Sequence, residues 1–144
     1  MTTYSKDLEN NTKLQQFITN FYKISDLKPP TENDPYLNFV SESPTIVMGS
    51  NKFEGRANIA AMRKGMWTFV THRHHVPQNV STVVEDKRYL VNGYVEYTLT
   101  NGKQLSTDWA AYIEFGEGLE LKLNYYQVYL DTAPMKAAVL ELRG

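Results

Sequence analysis

The stretch that decides the fold runs from Asn101 to Asp131, NGKQLSTDWAAYIEFGEGLELKLNYYQVYLD. Asn101–Gly102 has the residues of a tight turn, and apolar and polar residues then alternate from Leu105 to Phe115. Gly116–Gly118 reverses the chain, and the alternation resumes from Leu119 to Tyr129. The pattern predicts an antiparallel hairpin whose strands, at about 11 residues each, exceed the ~5–6 of a typical strand. A sheet this wide needs a second layer to cover one face.

The first half of the chain is expected to supply that layer as helices. Apolar residues between Asp7 and Leu27 recur at the spacing of an amphipathic helix with one buried face. Pro29 and Pro30 end this helix, because proline cannot continue the hydrogen-bond ladder. Further elements are a short helix from Asp34 to Val40, a brief strand from Pro44 to Gly49 and a long helix from Gly55 to Trp67.

Two more long strands are predicted, from Thr71 to Glu85 and from Arg88 to Thr100. Pro77 suggests an edge or a bulge, and Gly93 a bulge or bend that curves the sheet. Helices segregated from strands indicate an α+β domain with helices on one face of a curved antiparallel sheet and a cavity between the layers. We expect one domain over residues 1–144, with a core at about 8–134 and a tail at 135–144 that either packs on a sheet edge or is disordered.

Composition narrows the function classes. Fifteen basic and sixteen acidic residues leave a net charge of −1, so nothing favours nucleic acid or an anionic membrane as a partner. The absence of cysteine excludes disulfides, thiolate metal sites and cysteine nucleophiles. The first dozen residues are polar, and no apolar run approaches the ~18 residues of a membrane span, so we expect a cytoplasmic protein.

Three short motifs carry a resemblance to a known family. They are Gly55–Ile59 at the start of a helix, Asp108–Ala110 within a strand, and Tyr126–Asp131 at the end of the last strand. Together with the element order, they resemble the nuclear-transport-factor-2-like superfamily, in particular its SnoaL-like members, over roughly Leu8 to Pro134. The resemblance implies a cone-shaped fold, with helices packed on the concave face of a curved antiparallel (mixed) sheet. The family includes polyketide cyclases, a steroid isomerase, scytalone dehydratase, epoxide hydrolases and domains that only bind or dimerise.

Residue-by-residue transfer of the family's catalytic patterns is incomplete. Where the steroid isomerase has a tyrosine, this chain has Phe17, whose ring cannot donate a hydrogen bond to an enolate. Where that enzyme has an aspartate, this chain has Met48 or Gly49, and neither can take a proton. Tyr22 matches the tyrosine of the dehydratase pattern, and His74 matches one of its two histidines. The Arg-x-Asp of the epoxide hydrolases is reduced here to Asp108.

All three histidines of the chain lie between His72 and His75. No carboxylate or fourth ligand accompanies them in the local sequence, so we predict no metal site and no other cofactor. His74 or His75 could act as a general base, or the cluster could be a polar strand start with ordinary hydrogen bonds. The pattern leaves open which histidine faces the cavity, and we place His74 at its rim.

Asp108 has two interpretations. Plain alternation points it outward, away from the helices, whereas a bulge would turn it inward as a base. We therefore take His74, Tyr22 and Asp108 as the catalytic candidates. The candidate ligand-binding residues are those whose periodicities point at the cavity between the first helix and the sheet: Phe17, Phe21, Tyr36, Trp67, Trp109, Ile113, Leu123 and Gln127.

Two function classes follow. The first is a cofactor-free isomerase, dehydratase or cyclase acting on a small hydrophobic carbonyl compound, in which a histidine moves the proton. The second is a non-catalytic domain that binds a small molecule or dimerises. In either case we expect a homodimer formed through the outer face of the sheet, because Tyr112, Tyr126 and Val128 are too apolar to be left to water there.

Overall fold

The computed structural model describes residues 1–144 as a seven-stranded mixed sheet with three α-helices. The strands follow the order β1-β4-β5-β6-β7-β2-β3, in which β1 pairs with β4 and β2 with β7 in parallel. No helix is both long and apolar enough to cross a membrane. The elements are β1 (Thr3–Tyr4), a 3₁₀ turn (Lys6–Leu8), α1 (Thr12–Ser25), a 3₁₀ helix (Pro35–Phe39), β2 (Val40–Met48), β3 (Asn51–Glu54), α2 (Arg56–Gly65), β4 (Val70–Val84), β5 (Arg88–Leu99), β6 (Gln104–Phe115), β7 (Leu123–Leu130) and α3 (Ala133–Arg143).

The predicted α+β class is confirmed, with four long strands following the two long helices. Sequence patterns missed β1, β3 and the C-terminal helix α3. The tail packs on its own chain, where Ala138 of α3 joins Trp67, Val70 and Leu99 in a small second core. The last strand also begins later than predicted, at Leu123 rather than Leu119, because residues 116–122 form a loop.

A bulge in β7 reverses the predicted orientation of its side chains. Phe115 pairs with Leu123 but Glu114 pairs with Tyr125, which leaves Asn124 as an extra residue in β7. Beyond that point the alternation shifts by one, as expected for a bulge. Tyr126 and Val128 are therefore buried, and their predicted place on the outer face is wrong. Leu90, Tyr112 and Tyr129 remain on that face, so pairing of two chains through it stays a prediction.

A second irregularity, near the start of β4, decides which side chains of the histidine cluster face the helices. Val70 pairs with Leu99 and His72 with Thr98, so Thr71 is the extra residue. Val70 and Arg73 are consequently both buried, although they are three residues apart. Arg73 and His75 share the inner face, whereas His72 and His74 lie on the outer face.

One buried arginine links α2 to the end of α1 and to the residue before the 3₁₀ helix. Arg63 of α2 donates from Nε to Asp34 over 3.1 Å and from its terminal nitrogens to the carbonyl oxygens of Ser25 (3.0 Å) and Leu27 (2.9 Å). These carbonyls belong to the last turn of α1 and the residues after it, which have no partners within the helix. Arg63 thereby fixes the end of α1 and the position of Asp26, the residue that follows it.

Gly93 of β5 lies where β4 passes too closely for a side chain. A Cβ atom on Gly93 would lie 2.1 Å from the carbonyl oxygen of Val76 and 2.9 Å from Cα of Pro77. The predicted irregularity at Pro77 is confirmed, since the register with β5 shifts between Pro77 and Asn79. The close approach at Gly93 thus coincides with a bulge on the neighbouring strand.

We expect Gly93→Ala to lower the free energy of unfolding by about 1–3 kcal/mol, because two backbones must separate to admit the methyl group. Urea denaturation measures the loss. Gly65→Ala is the matched control, since no atom lies within 4 Å of the added methyl group. Replacing a helical glycine by alanine usually stabilises by about 0.5–1 kcal/mol. Equal stability of the Gly93→Ala variant and the wild type would contradict the close approach.

Candidate functional site

A cavity of about 260 Å³ lies between the inner face of the sheet and the layer formed by α2 and the 3₁₀ helix Pro35–Phe39. Its volume is near the lower end of the ~300–1,000 Å³ of typical ligand sites, which suits a small molecule. Most of the wall is apolar, with Met48, Phe53, Met62, Met66, Val95 and Val128 among the lining residues. The wall also carries polar side chains, and those that matter for the chemistry are Tyr36, Arg73, His75 and Trp109.

His75 forms a buried pair with Asp26. Its Nδ1 lies 2.5 Å from Oδ1 of Asp26, and its backbone N–H donates to Oδ2 over 2.9 Å. The two side chains are only 12% and 14% exposed. A carboxylate that accepts from Nδ1–H selects the tautomer in which Nε2 carries the lone pair. No protein group hydrogen-bonds Nε2, so that atom is free to act on a molecule in the cavity.

The surroundings of His75 keep its imidazole neutral. Burial lowers the pKa of His75 from its ordinary value, and the positive charge of Arg73 lowers it further, while the hydrogen bond to Asp26 opposes the shift. A neutral ring at neutral pH can accept a proton at Nε2. Asp26 then stabilises the imidazolium that forms, as the carboxylate of a catalytic triad does.

Aromatic groups hold the ring of His75 in place. The rings of Tyr22 and Trp109 lie 5.4 and 5.7 Å from it, and the Tyr22 hydroxyl is 2.9 Å from the Tyr126 hydroxyl. Burial raises the pKa of Tyr22 and of Tyr126, so both remain protonated. The Trp109 Nε1–H is buried without a hydrogen-bond partner, and Trp109 lines the cavity. A residue of the cavity wall thus has an unsatisfied donor.

Arg73 also lines the cavity and is 5% exposed, yet no carboxylate pairs with it. Its Nε is buried without a partner, and its one side-chain hydrogen bond reaches the sulfur of Met66 over 3.4 Å. The guanidinium lies 5.7 and 5.6 Å from the ring centres of Trp67 and Tyr97. Arg63, the other buried arginine, is by contrast fully engaged with Asp34 and three carbonyls.

None of the three catalytic candidates from the sequence lines the cavity. His74 is 56% exposed on the outer face, so it does not stand at the cavity rim, and His75 takes that place. Asp108 is exposed on the outer face, because β6 pairs with β5 without a bulge that would turn it inward. Tyr22 is buried behind His75 rather than on the cavity wall.

Of the eight candidate ligand-binding residues, only Tyr36 and Trp109 line the cavity. Phe17, Phe21, Ile113 and Leu123 belong instead to the main core, where α1 packs on the sheet. Trp67 belongs to the second core with α3. Gln127 accepts a hydrogen bond of 2.6 Å from Tyr125 and does not line the cavity, because the bulge at Asn124 reversed its orientation.

Sequence reasoning missed Asp26 and Arg73. Asp26 belongs to no motif and lies 49 residues from its partner His75. The one available signal was the alternation of β4, in which Arg73 shares a face with His75. An arginine beside a histidine on the inner face of a strand indicates a polar site rather than core packing.

Comparison with known proteins identifies relatives in structure but not in sequence. No family sequence model and no curated protein matches the chain. A structure provisionally assigned as a polyketide cyclase from Xanthomonas campestris pv. campestris has a TM-score of 0.72 and 15% identity, covering 90% of this chain and 98% of its own. The epoxide hydrolase/cyclase-like enzyme SalBIII, which acts in pyran ring formation in salinomycin, has a TM-score of 0.66 and 18% identity, covering 86% and 95%.

An NTF2-like protein of unknown function from Exiguobacterium sp. 255-15 is also similar. Its TM-score is 0.67 at 13% identity, and the match covers 80% of this chain and 98% of that one. At these identities the likeness concerns the fold, and chemistry has to come from the side chains of this chain. The protein thus has the nuclear-transport-factor-2-like fold, which it shares with proteins described as SnoaL-like polyketide cyclases.

Proposed function

We propose that the chain catalyses cofactor-free proton transfer on a small hydrophobic carbonyl compound, as an isomerase, dehydratase or cyclase. The observation that carries the proposal is the buried Asp26–His75 pair, whose free Nε2 belongs to a residue lining an aromatic cavity. His75 is the base that removes a proton from the carbon next to the carbonyl group. Asp26 orients the ring and stabilises the imidazolium.

The cavity also supplies donors for the oxygen that becomes negative. When the C–H bond breaks, its electron pair forms the enolate double bond and the charge moves to the carbonyl oxygen. The unpartnered Nε1–H of Trp109 and the hydroxyl of Tyr36 are the donors we assign to that oxygen. Burial raises the pKa of Tyr36, so its hydroxyl keeps the proton it must donate. Trp109 is the better placed of the two, because its ring neighbours that of His75.

The fate of the enolate decides the reaction type. Return of the proton from Nε2 to a different carbon is an isomerisation. Attack of the enolate carbon on a second carbonyl group closes a ring, and the proton on Nε2 passes to the alkoxide that forms. Expulsion of a hydroxyl group from the neighbouring carbon releases water when Nε2 returns its proton to that group. All three reactions begin with the same proton transfer to His75, so that step can be tested before the substrate is known.

The test is exchange of solvent deuterium into simple ketones. Wild-type protein in deuterium oxide should accelerate loss of the proton signal beside the carbonyl of cyclohexanone, acetophenone, phenylacetone or ethyl acetoacetate, followed by NMR against protein-free buffer. Binding in the cavity should also shift the indole N–H signal of Trp109. If no member of the panel exchanges faster than in buffer, and none shifts the Trp109 signal, the proposal is contradicted.

The pH dependence of that exchange follows from the direction of the His75 shift. The active form is the neutral imidazole, whose pKa lies below the ordinary ~6.5 because of burial and of Arg73. The rate should therefore reach a plateau at high pH, and the midpoint of its fall in acid solution should lie below pH ~6.5. Asp26, Tyr22 and Trp109 neighbour the ring, and the charges of Arg73 and His74 act on it from farther away. A midpoint above pH ~6.5 would contradict this assignment.

A further inference from the structure

We infer that Arg73 is the anchor for a negatively charged group of the ligand, so that the cavity binds a small hydrophobic carboxylate. The inference deepens the proposed function, because it names the charge that the substrate of the same cavity carries. It rests on the arrangement around Arg73 and on the contrast with Arg63.

The two buried arginines differ in their hydrogen-bond partners. Arg63 meets a carboxylate and three carbonyl oxygens, which complete the partners of a structural guanidinium. Arg73 is buried to a similar degree. Its side chain donates only to a thioether sulfur, which is a weak acceptor, and its Nε has no hydrogen-bond partner. Arginine cannot lose its charge in a protein, so this positive charge stays buried without a counterion. A bound anion would compensate it.

The acidic side chains near Arg73 are already paired with other residues. Asp34 is bonded to Arg63, and Asp26 is bonded to His75. No Asp or Glu is among the residues that line the cavity. The aromatic rings of Trp67 and Tyr97 stabilise the cation in part but offer no oxygen to its N–H groups. The planar fork of the guanidinium matches the two oxygens of a carboxylate, which makes that group the fitting occupant.

The position of Arg73 relative to His75 sets where the carboxylate lies in the ligand. The two residues share the inner face of β4 two positions apart, a separation of roughly 6.6 Å along the strand. A carboxylate held by Arg73 therefore lies on the same wall of the cavity as His75, and a carbon further along the ligand is the one that His75 acts on. Trp109 lines the same cavity, and its unpartnered Nε1–H is the donor we assign to an uncharged oxygen of the ligand. The ligand class is a hydrophobic acid that carries a carbonyl oxygen a few bonds from its carboxylate.

The binding test compares acids with their neutral amides and requires no turnover. The probes are benzoate, phenylacetate, cyclohexanecarboxylate and hexanoate, each against its primary amide, with formate as the smallest carboxylate. Dissociation constants come from protein NMR titration, with the Nε–H signal of Arg73 as the local reporter. At least one acid should bind at least ~10-fold more tightly than its amide and move the Arg73 signal.

Substitutions then locate the discrimination. Arg73→Met should remove the preference for the acid while leaving amide affinity within about twofold, and its Tm should equal or exceed that of the unliganded wild type, because an uncompensated buried charge is gone. The control His72→Asn changes an exposed residue of the same strand and should keep the preference. Acids that bind no better than amides overturn the inference, as does absence of binding by all the acids, formate included. A marked fall in the Tm of Arg73→Met also overturns it, since that result would make Arg73 structural.

The result separates this inference from the proposed function. Deuterium exchange into neutral ketones together with equal binding of acids and amides would leave His75 as the base and reject Arg73 as the anchor. Preferential binding of acids without any exchange would keep the anion site and reject the catalytic role of His75.

Discussion

Arg63→Met should lower the free energy of unfolding by about 3–5 kcal/mol, the usual result of removing one partner from a buried ion pair. Methionine fills a similar volume but leaves the Asp34 carboxylate buried with only the Tyr36 backbone N–H as a donor. It also leaves the carbonyl oxygens of Ser25 and Leu27 at the end of α1 without the donors that Arg63 supplied. Urea denaturation of the wild type and the variant measures the difference.

Arg73→Met is the matched control, since it makes the same substitution at the second buried arginine of the chain. That residue has no carboxylate partner to orphan, so its loss should leave the free energy of unfolding unchanged or higher. Similar losses for the two variants would mean that burial alone, rather than the hydrogen-bond partners, decides how much each arginine contributes to the free energy of unfolding. The double variant Arg63→Met/Asp34→Asn should recover part of the loss, because the buried carboxylate charge is gone.

The fold could be predicted from the sequence because it depends on long, regular patterns. The stripe of apolar residues in α1 and the alternation in β5 and β6 each extend over ten or more residues, so single exceptions do not hide them. Short elements were missed for the opposite reason. The four residues of β3 carry no period of their own and pair only because β2 lies beside them.

The site was harder to predict because single extra residues decide which side chains face inward. Asn124 in β7 reverses the orientation of Tyr126 and Gln127, and no composition signal marks that position as a bulge. The pairing of Asp26 with His75 depends on how α1 ends against β4, which is a tertiary contact with no local pattern. The histidine cluster was found from sequence, but choosing His75 over His74 required the strand register.

The choice between these histidines leads to the largest expected change in rate. His75→Asn should reduce exchange by about 10²–10⁴-fold, the usual loss when a general base is removed. The asparagine amide can still donate to Asp26 in place of Nδ1, so the carboxylate stays satisfied and the fold should persist. His74→Asn is the control, because that exposed side chain comes no closer than 3.9 Å to Asp26, and its exchange rate should remain within about threefold of wild type.

Asp26→Asn tests whether orientation of the ring, rather than the imidazole alone, supports the reaction. An amide facing Nδ1 can donate to it, which favours the tautomer with the proton on Nε2 and leaves no lone pair in the cavity. A wrong tautomer in a histidine–carboxylate pair costs up to ~10⁴-fold in rate. Nitrogen NMR shifts of His75 should show the change of tautomer directly, while the thermal midpoint changes little. An unchanged tautomer with full activity would mean that Asp26 anchors the strand and does not set the tautomer of His75.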